Sequence, residues 1–194
     1  MVRSHIILAI SWIVYCSFHS VLASLWFKQM AERWMGRHYK FYRFYYTLFA
    51  FAGFVAIMTC LFIIPSYKLF ATSTATIITG ALITTFGGII MIICIRKYFM
   101  QLSGLRSLIE NRSNNQLMIT GIHKHVRHPL YSGTFVFIWG LLILYPYLSL
   151  LIVDIIITVY TLIGLRFEEK KLLKEFEEAY KEYQEKVPMI IPRL

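Results

Sequence analysis

Five apolar runs, separated by short polar or cationic stretches, leave this sequence few ways to fold. They extend from about Ile6 to Phe27, from about Phe44 to Ile64 before Pro65, from about Ala75 to Ile95 before Arg96-Lys97, from about Leu130 to Tyr145, and from there to Leu165. The first three are near the ~20 residues that a helix needs to cross a bilayer. The fourth is shorter, and Tyr145-Pro146-Tyr147 is a turn signal, so the last two runs form a hairpin that is tilted or stops short of the far side. Only 15% of the chain is charged and 58% is hydrophobic, whereas a soluble domain carries about 25% charged residues. The expected fold is an all-α integral membrane protein. It has five transmembrane helices, the last two a helical hairpin, and a C-terminal amphipathic cytoplasmic helix. Residues 1–100 form an N-terminal three-helix region and residues 101–194 carry the chemistry. The first run is long enough to span and lacks a small-residue cleavage site, so it is not a removed signal peptide.

The charges orient the bundle. Lys28, Arg33, Arg37, Lys40 and Arg43 face a single acid, Glu32, between the first two runs. Arg96, Lys97, Arg106, Arg112, Lys124 and Arg127 face Glu110 between the third and fourth. Lys68 alone marks the 65–74 stretch, and the hairpin turn is uncharged. By the positive-inside rule both rich loops and the C-terminal tail are cytoplasmic. The same rule accounts for the net charge of +10 without nucleic acid as a partner. Cys16, Cys60 and Cys94 stand singly in apolar runs, with no CxxC pair, and read as packing residues.

Past Leu165 the pattern changes. Leu172, Leu173, Phe176, Tyr180, Tyr183 and Val187 recur at helical spacing with Glu and Lys opposite them. This helix lies on the membrane or folds back over the loop before the fourth run. Arg166, Glu168 and Glu169 sit where the fifth run leaves the bilayer, and Arg127 and His128 sit where the fourth begins. A tight turn makes those two helix ends neighbours, so two charged clusters meet at one mouth. Charge at such a place is costly unless something binds there.

Gly121, then Arg127-His128-Pro129-Leu130-Tyr131-Ser132-Gly133, then Glu168-Glu169 and the tail Phe176-Glu-Glu-Ala-Tyr180-Lys-Glu-Tyr183 with Val187-Pro188 form a recognisable set. Over roughly residues 110–194 it resembles the isoprenylcysteine carboxyl methyltransferase family. The earlier spans match only as generic membrane helices. The resemblance implies S-adenosylmethionine as cofactor and a lipid-bearing acceptor, most simply the α-carboxylate of a prenylated cysteine. Related membrane enzymes methylate phospholipid amines. It places the cofactor's amino-acid end near Asn115, Gln116, Leu117, Met118 and His123. Asn115 stands where many relatives have His.

The residues suit such a cofactor. A carboxylate at Glu168 can accept both ribose hydroxyls. Pro129 suits a first helical turn. Backbone groups at His128 and Leu130 can pair with adenine edges, and Tyr131 offers a ring face or hydroxyl. Arg166 can hold an acceptor carboxylate through its fork geometry. A carboxylate is already ionised at neutral pH and needs alignment rather than a base. An amine acceptor needs a base, with Glu169 or a histidine the candidates. The catalytic candidates are therefore Arg166 and Glu169.

Other readings compete. His123, His125 and His128 as a metal site would have to tolerate Lys124 and Arg127 among them, so no metal is expected. His19 reads as a satisfied interior polar group, and Asp154 as similar or as the mark of a transport path. Transport would place charge near the midplane, not at one interface. Tyr39 to Tyr46 reads as an interfacial aromatic belt or the lining of a lipid access slot. A non-catalytic lipid-binding protein is the remaining alternative. No obligate protein partner is evident.

Overall fold

The computed structural model describes residues 2–102 and 117–193, with backbone alone over 98–102. Among these residues the chain is helical: α1 (Val2–Ala23), α2 (Leu25–Met35), a 3-10 turn at Gly36–Phe41, α3 (Tyr42–Ile63), α4 (Thr74–Leu102), a second 3-10 turn at Gly121–Lys124, α5 (Pro129–Leu144) and α6 (Leu148–Lys186). Four stretches are long and apolar enough to cross a membrane: Val2–Ala23, Leu25–Ile63, Thr74–Lys97 and Leu148–Lys186. Pro129–Leu144 is a shorter apolar helix.

The first apolar run is divided. Ser24 takes an extended conformation and its hydroxyl accepts the Phe27 amide at 3.2 Å, capping a new helix. Ile64 is extended before Pro65, as the proline ring requires, and ends α3. Pro129 opens α5 in the first turn, where its missing N–H leaves nothing unpaired.

Two compact units form. One contains Met1–Tyr67, the other Lys68–Lys97 with the described residues from Leu117 onward. In the second unit α4 up to Lys97 packs with the C-terminal hairpin. In the first unit Trp12 is buried and meets Tyr15 and Phe54 edge-on. The Tyr15 hydroxyl donates to Ala50 O at 2.9 Å, holding α1 to α3. His19 bonds the Tyr46 hydroxyl at 3.0 Å, which is the satisfied interior histidine expected.

In the second unit α4 and α5 touch through backbone. A Cβ on Gly80 would lie 2.7 Å from Leu144 N, and one on Gly140 2.7 Å from Thr84 N. Small residues at such crossings let helices approach where apolar burial alone supplies no drive within lipid. The α5–α6 turn is closed by Tyr147 N donating to Tyr145 O at 2.8 Å, and Leu69 N donates to Pro146 O at 2.7 Å. Asp154 departs from the expectation of a satisfied group. It is buried, and among the described residues neither of its oxygens has a partner.

Helix α6 has 39 residues, roughly 58 Å at 1.5 Å per residue and about twice a hydrocarbon core. Its polar half therefore emerges, and the amphipathic tail helix is the continuation of the fifth run. The continuation is not straight. Glu177 takes φ 45 and ψ −117, breaking the helix there. The break turns the chain back, so that Tyr180, Tyr183 and Val187 are buried against Leu117, Leu172, Leu173 and Phe176. That cluster holds all six apolar residues of the tail stripe.

Candidate functional site

Glu169 is the centre of the hairpin mouth. It lies about four turns of α6 beyond Asp154 and faces the loop that enters α5. The Arg127 guanidinium grips it bidentately, Nε donating to Oε1 at 3.0 Å and Nη2 to Oε2 at 2.7 Å. His128 Nε2–H donates to Oε1 at 2.6 Å. The Tyr180 hydroxyl donates to Oε1 at 2.6 Å, and Gln184 Nε2 to Oε2 at 2.6 Å. Residues 169 and 180 would stand about 16 Å apart along an unbroken helix, so the turn at Glu177 is what makes the Tyr180 contact geometrically available.

These donors set the electrostatics. Burial works to raise the Glu169 carboxyl, but the bonds from Arg127, Tyr180, His128 and Gln184 outweigh it and hold the group down at about 2. Burial works against the Arg127 cation, and Glu169 more than offsets it, so the guanidinium is held charged. Burial, reinforced by donation to a carboxylate, pushes the Tyr180 phenol up. Burial lowers His123, whose Nδ1–H donates to Arg127 O at 3.0 Å, and the Tyr183 hydroxyl donates to His123 O at 2.6 Å.

The segment after α6 straps this loop. Arg127 N donates to Pro188 O at 2.9 Å and His128 N to Met189 O at 3.1 Å. Ser132 Oγ donates to Ile190 O at 2.7 Å, and Arg127 Nη1 donates to Val187 O at 2.6 Å. The strap and the first turn of α5 also engage the His128 backbone. The His128 amide goes to Met189 O, and its carbonyl accepts the Ser132 amide at 3.1 Å. The Leu130 amide belongs to the first turn of α5, where a helix has no acceptor of its own.

Glu168, next to the hub, is left outside it. The Tyr131 hydroxyl donates to Glu168 Oε2 at 3.1 Å, and among the described residues no donor reaches Oε1. Pro129 is buried, Tyr131 and Glu168 are half-buried, and Arg166 is exposed. Leu117 packs against the tail cluster, and Met118 is exposed. Asn115 and Gln116 lie outside the described residues. The structure thus brings Arg127, His128, Tyr131, Glu168 and Glu169 to one mouth and leaves Arg166 exposed beside it, outside the bonds that hold Glu169. No group of three His, Cys, Asp or Glu converges as metal ligands among the described residues. Tyr180 and Gln184 were missed as site residues. Tyr180 has a sequence signal, a phenol in an apolar stripe that must find a polar partner once buried, while Gln184 has none.

Several curated proteins are similar to parts of this chain. Methanethiol S-methyltransferase 2 of Bradyrhizobium diazoefficiens is 37% identical over 75 residues, 38% of this chain and 27% of that protein. The methanethiol S-methyltransferase of Pseudomonas deceptionensis matches to the same extent, so the match spans about a quarter of these relatives' length. The protein-S-isoprenylcysteine O-methyltransferase of Saccharomyces cerevisiae is 33% identical over 145 residues, 71% of this chain and 60% of that protein. No solved structure matches. The family described as "Protein of unknown function (DUF1295)" matches residues 8–187, which include both carboxylates, the arginine–histidine loop and the returning tail, and the chain belongs to that family.

Proposed function

We propose that this chain is a membrane methyltransferase that takes S-adenosylmethionine as donor and a lipid-bearing carboxylate as acceptor. The observation that carries the proposal is the contrast between two adjacent acids. Glu169 is saturated by five hydrogen bonds, whereas Glu168 keeps an oxygen with no donor among the described residues. A half-buried carboxylate beside a tyrosine and a helix N-terminus fits a ribose diol next to an adenine.

Each residue then has a role. Glu168 accepts the ribose hydroxyls, and the Leu130 amide and the Tyr131 ring meet the adenine. Leu117, Met118 and His123, with Asn115 and Gln116, hold the amino-acid end. Pro129 fixes the start of α5, and His128 holds Glu169. Glu169 itself is a positioning residue. A carboxylate held at about 2 with its lone pairs occupied is a poor general base. When bound, S-adenosylmethionine supplies an electrophilic methyl group on a sulfonium. Transfer to a carboxylate would form a C–O bond as the C–S bond breaks, with no proton to move. An acceptor that arrives ionised therefore suits a mouth whose central acid is not a base. Arg166, exposed at the helix exit, orients that acceptor carboxylate.

A thiol acceptor is the second reading, favoured by relatives named methanethiol S-methyltransferases. A thiol must lose its proton, as must a phospholipid ammonium group. The site faces the cytoplasm by the distribution of Lys and Arg, in a five-span bundle whose last span continues into the tail helix.

The test supplies methyl-labelled S-adenosylmethionine and a farnesylated N-acetylcysteine to the reconstituted chain. Base treatment of a methyl ester releases labelled methanol, whereas thioethers and methylated amines keep their label. Base-labile label in the lipid product supports the proposal. Base-stable label moves the assignment to a thiol or amine, and no transfer to any acceptor, with no binding of donor, removes it.

A further inference from the structure

The segment between α1 and α3 carries an apolar face that is left exposed among the described residues of its own unit. Helix α2 has two apolar rows at i, i+4, i+8 spacing. Phe27, Ala31 and Met35 form the inner row: Ala31 is buried, and the Phe27 ring lies 6.3 Å from the Tyr42 ring. Trp26, Met30 and Trp34 form the second row, about 100° around the helix. Trp26 is 66% exposed and Trp34 88%. The apolar arc is therefore about half a circumference wide, and the protein occupies only the inner part of it. Gln29, Glu32 and Arg33 fill the opposite side.

Two observations say what covers the outer row. The first is connectivity. Only Ser24 separates α2 from α1, and the six-residue turn Gly36–Phe41 joins it to α3. Val2–Ala23 reads as a membrane-crossing helix and so does the stretch Leu25–Ile63, of which α3 is the apolar 22-residue part, and α1 and α3 are joined by the Tyr15–Ala50 bond. Eleven residues reach about 16 Å, too short to cross, so α2 lies at bilayer-surface depth. The second is charge. Lys28, Arg33, Arg37, Lys40 and Arg43 surround the row against Glu32 alone.

We propose that α2 is an in-plane anchor. Its Trp26–Met30–Trp34 row inserts among the lipid headgroups of one leaflet, and its flanking arginines and lysines select anionic lipids there. Tryptophan belongs at this depth because its ring is apolar and its indole N–H stays wet. A row of aromatic residues opposite a cationic side is the pattern of a helix lying in the interface. This surface is independent of the cofactor assignment.

The experiment reads tryptophan depth in the full-length chain. The protein is reconstituted into vesicles with phosphatidylcholine brominated either near the headgroup end or near the methyl end of its chains. The Trp34 signal is the difference between wild type and Trp34→Phe. Shallow bromine should quench Trp34 more than deep bromine, and aqueous acrylamide should quench it weakly. Replacing part of the lipid with phosphatidylglycerol should enrich that lipid around the protein, and each of Arg33→Gln and Arg37→Gln should weaken the enrichment about five-fold. Trp34 open to acrylamide in every vesicle would overturn the anchor, because the helix would then sit in water. Protection that persists in detergent and disappears on dilution would overturn it too, by showing that a second protein copy covers the row.

Discussion

Removing the charge at Glu169 should loosen the whole mouth, and the size of the effect follows from its contacts. The carboxyl is held down from 4.5 to about 2, and each tenfold change in proton affinity corresponds to about 1.4 kcal/mol. The full linkage is about 3 kcal/mol. Its side chain is 13% exposed, and allowing for solvent screening leaves about 2 kcal/mol. The sign is that of a depressed acid. The contribution is fully present above pH 4.5 and is lost as pH falls from there toward 2. Glu169→Gln removes it at every pH. That loss includes leaving the Arg127 guanidinium, itself 10% exposed, without its counter-charge, which sets its upper end at about 3 kcal/mol. The assay is thermal unfolding in detergent by circular dichroism at a fixed scan rate, since unfolding of such a protein is a rate as well as an equilibrium. The wild type should lose apparent stability on acidification below pH 4.5, and Glu169→Gln should start lower and lose less over the same range. Equal midpoints at neutral pH, or parallel acid profiles, would refute the hub.

Other consequences are separable from this one. Arg166→Ala should keep most donor affinity and lose most kcat/KM for a lipid acceptor, because oriented approach is what the arginine supplies; near-normal turnover would leave it only a headgroup anchor. Gly87→Ala should cost about 1–3 kcal/mol by overpacking, since its Cβ would lie 2.8 Å from Gly133 O, whereas at Gly88 it would meet the Phe137 ring at 3.6 Å and Gly88→Ala should be near neutral. Glu177→Gly should raise the unfolding midpoint by the equivalent of about 1 kcal/mol, because only glycine takes its backbone conformation without strain; a lower midpoint would deny that strain.

Much of the architecture is legible in the residues, for reasons that mark where legibility ends. Apolar length predicts crossing helices, and α3 and α5 lie within about two residues of the runs that predict them. The short turn at Tyr145-Pro146-Tyr147 predicts that the ends of α5 and α6 are neighbours, which brings Arg127 and His128 to Glu169. The stripe from Leu172 to Val187 predicts a tail that buries one face. Three features have no such signature. The Ser24 cap is hidden, because an apolar residue stands on either side and hydropathy does not register a helix boundary. The break at Glu177 occurs at a residue with no turn propensity and is imposed by the contacts that Tyr180 and Gln184 make. The strap from Val187 to Ile190 offers its backbone carbonyls to amides and side chains about sixty residues earlier, and pairing at that range leaves no periodic trace. It is this strap that gives the His128 amide its partner, Met189 O.

Calorimetric titration of the detergent-purified chain with S-adenosylhomocysteine tests the central claim most directly. The wild type should bind one equivalent. Glu168→Gln should bind about ten- to a hundred-fold more weakly, the range expected for a hydrogen bond to a charged group, with an unchanged unfolding midpoint because Glu168 stands outside the hub. Folded wild-type protein that takes up no S-adenosylhomocysteine would contradict the account, and Glu168→Gln binding as tightly as wild type would remove Glu168 from the site.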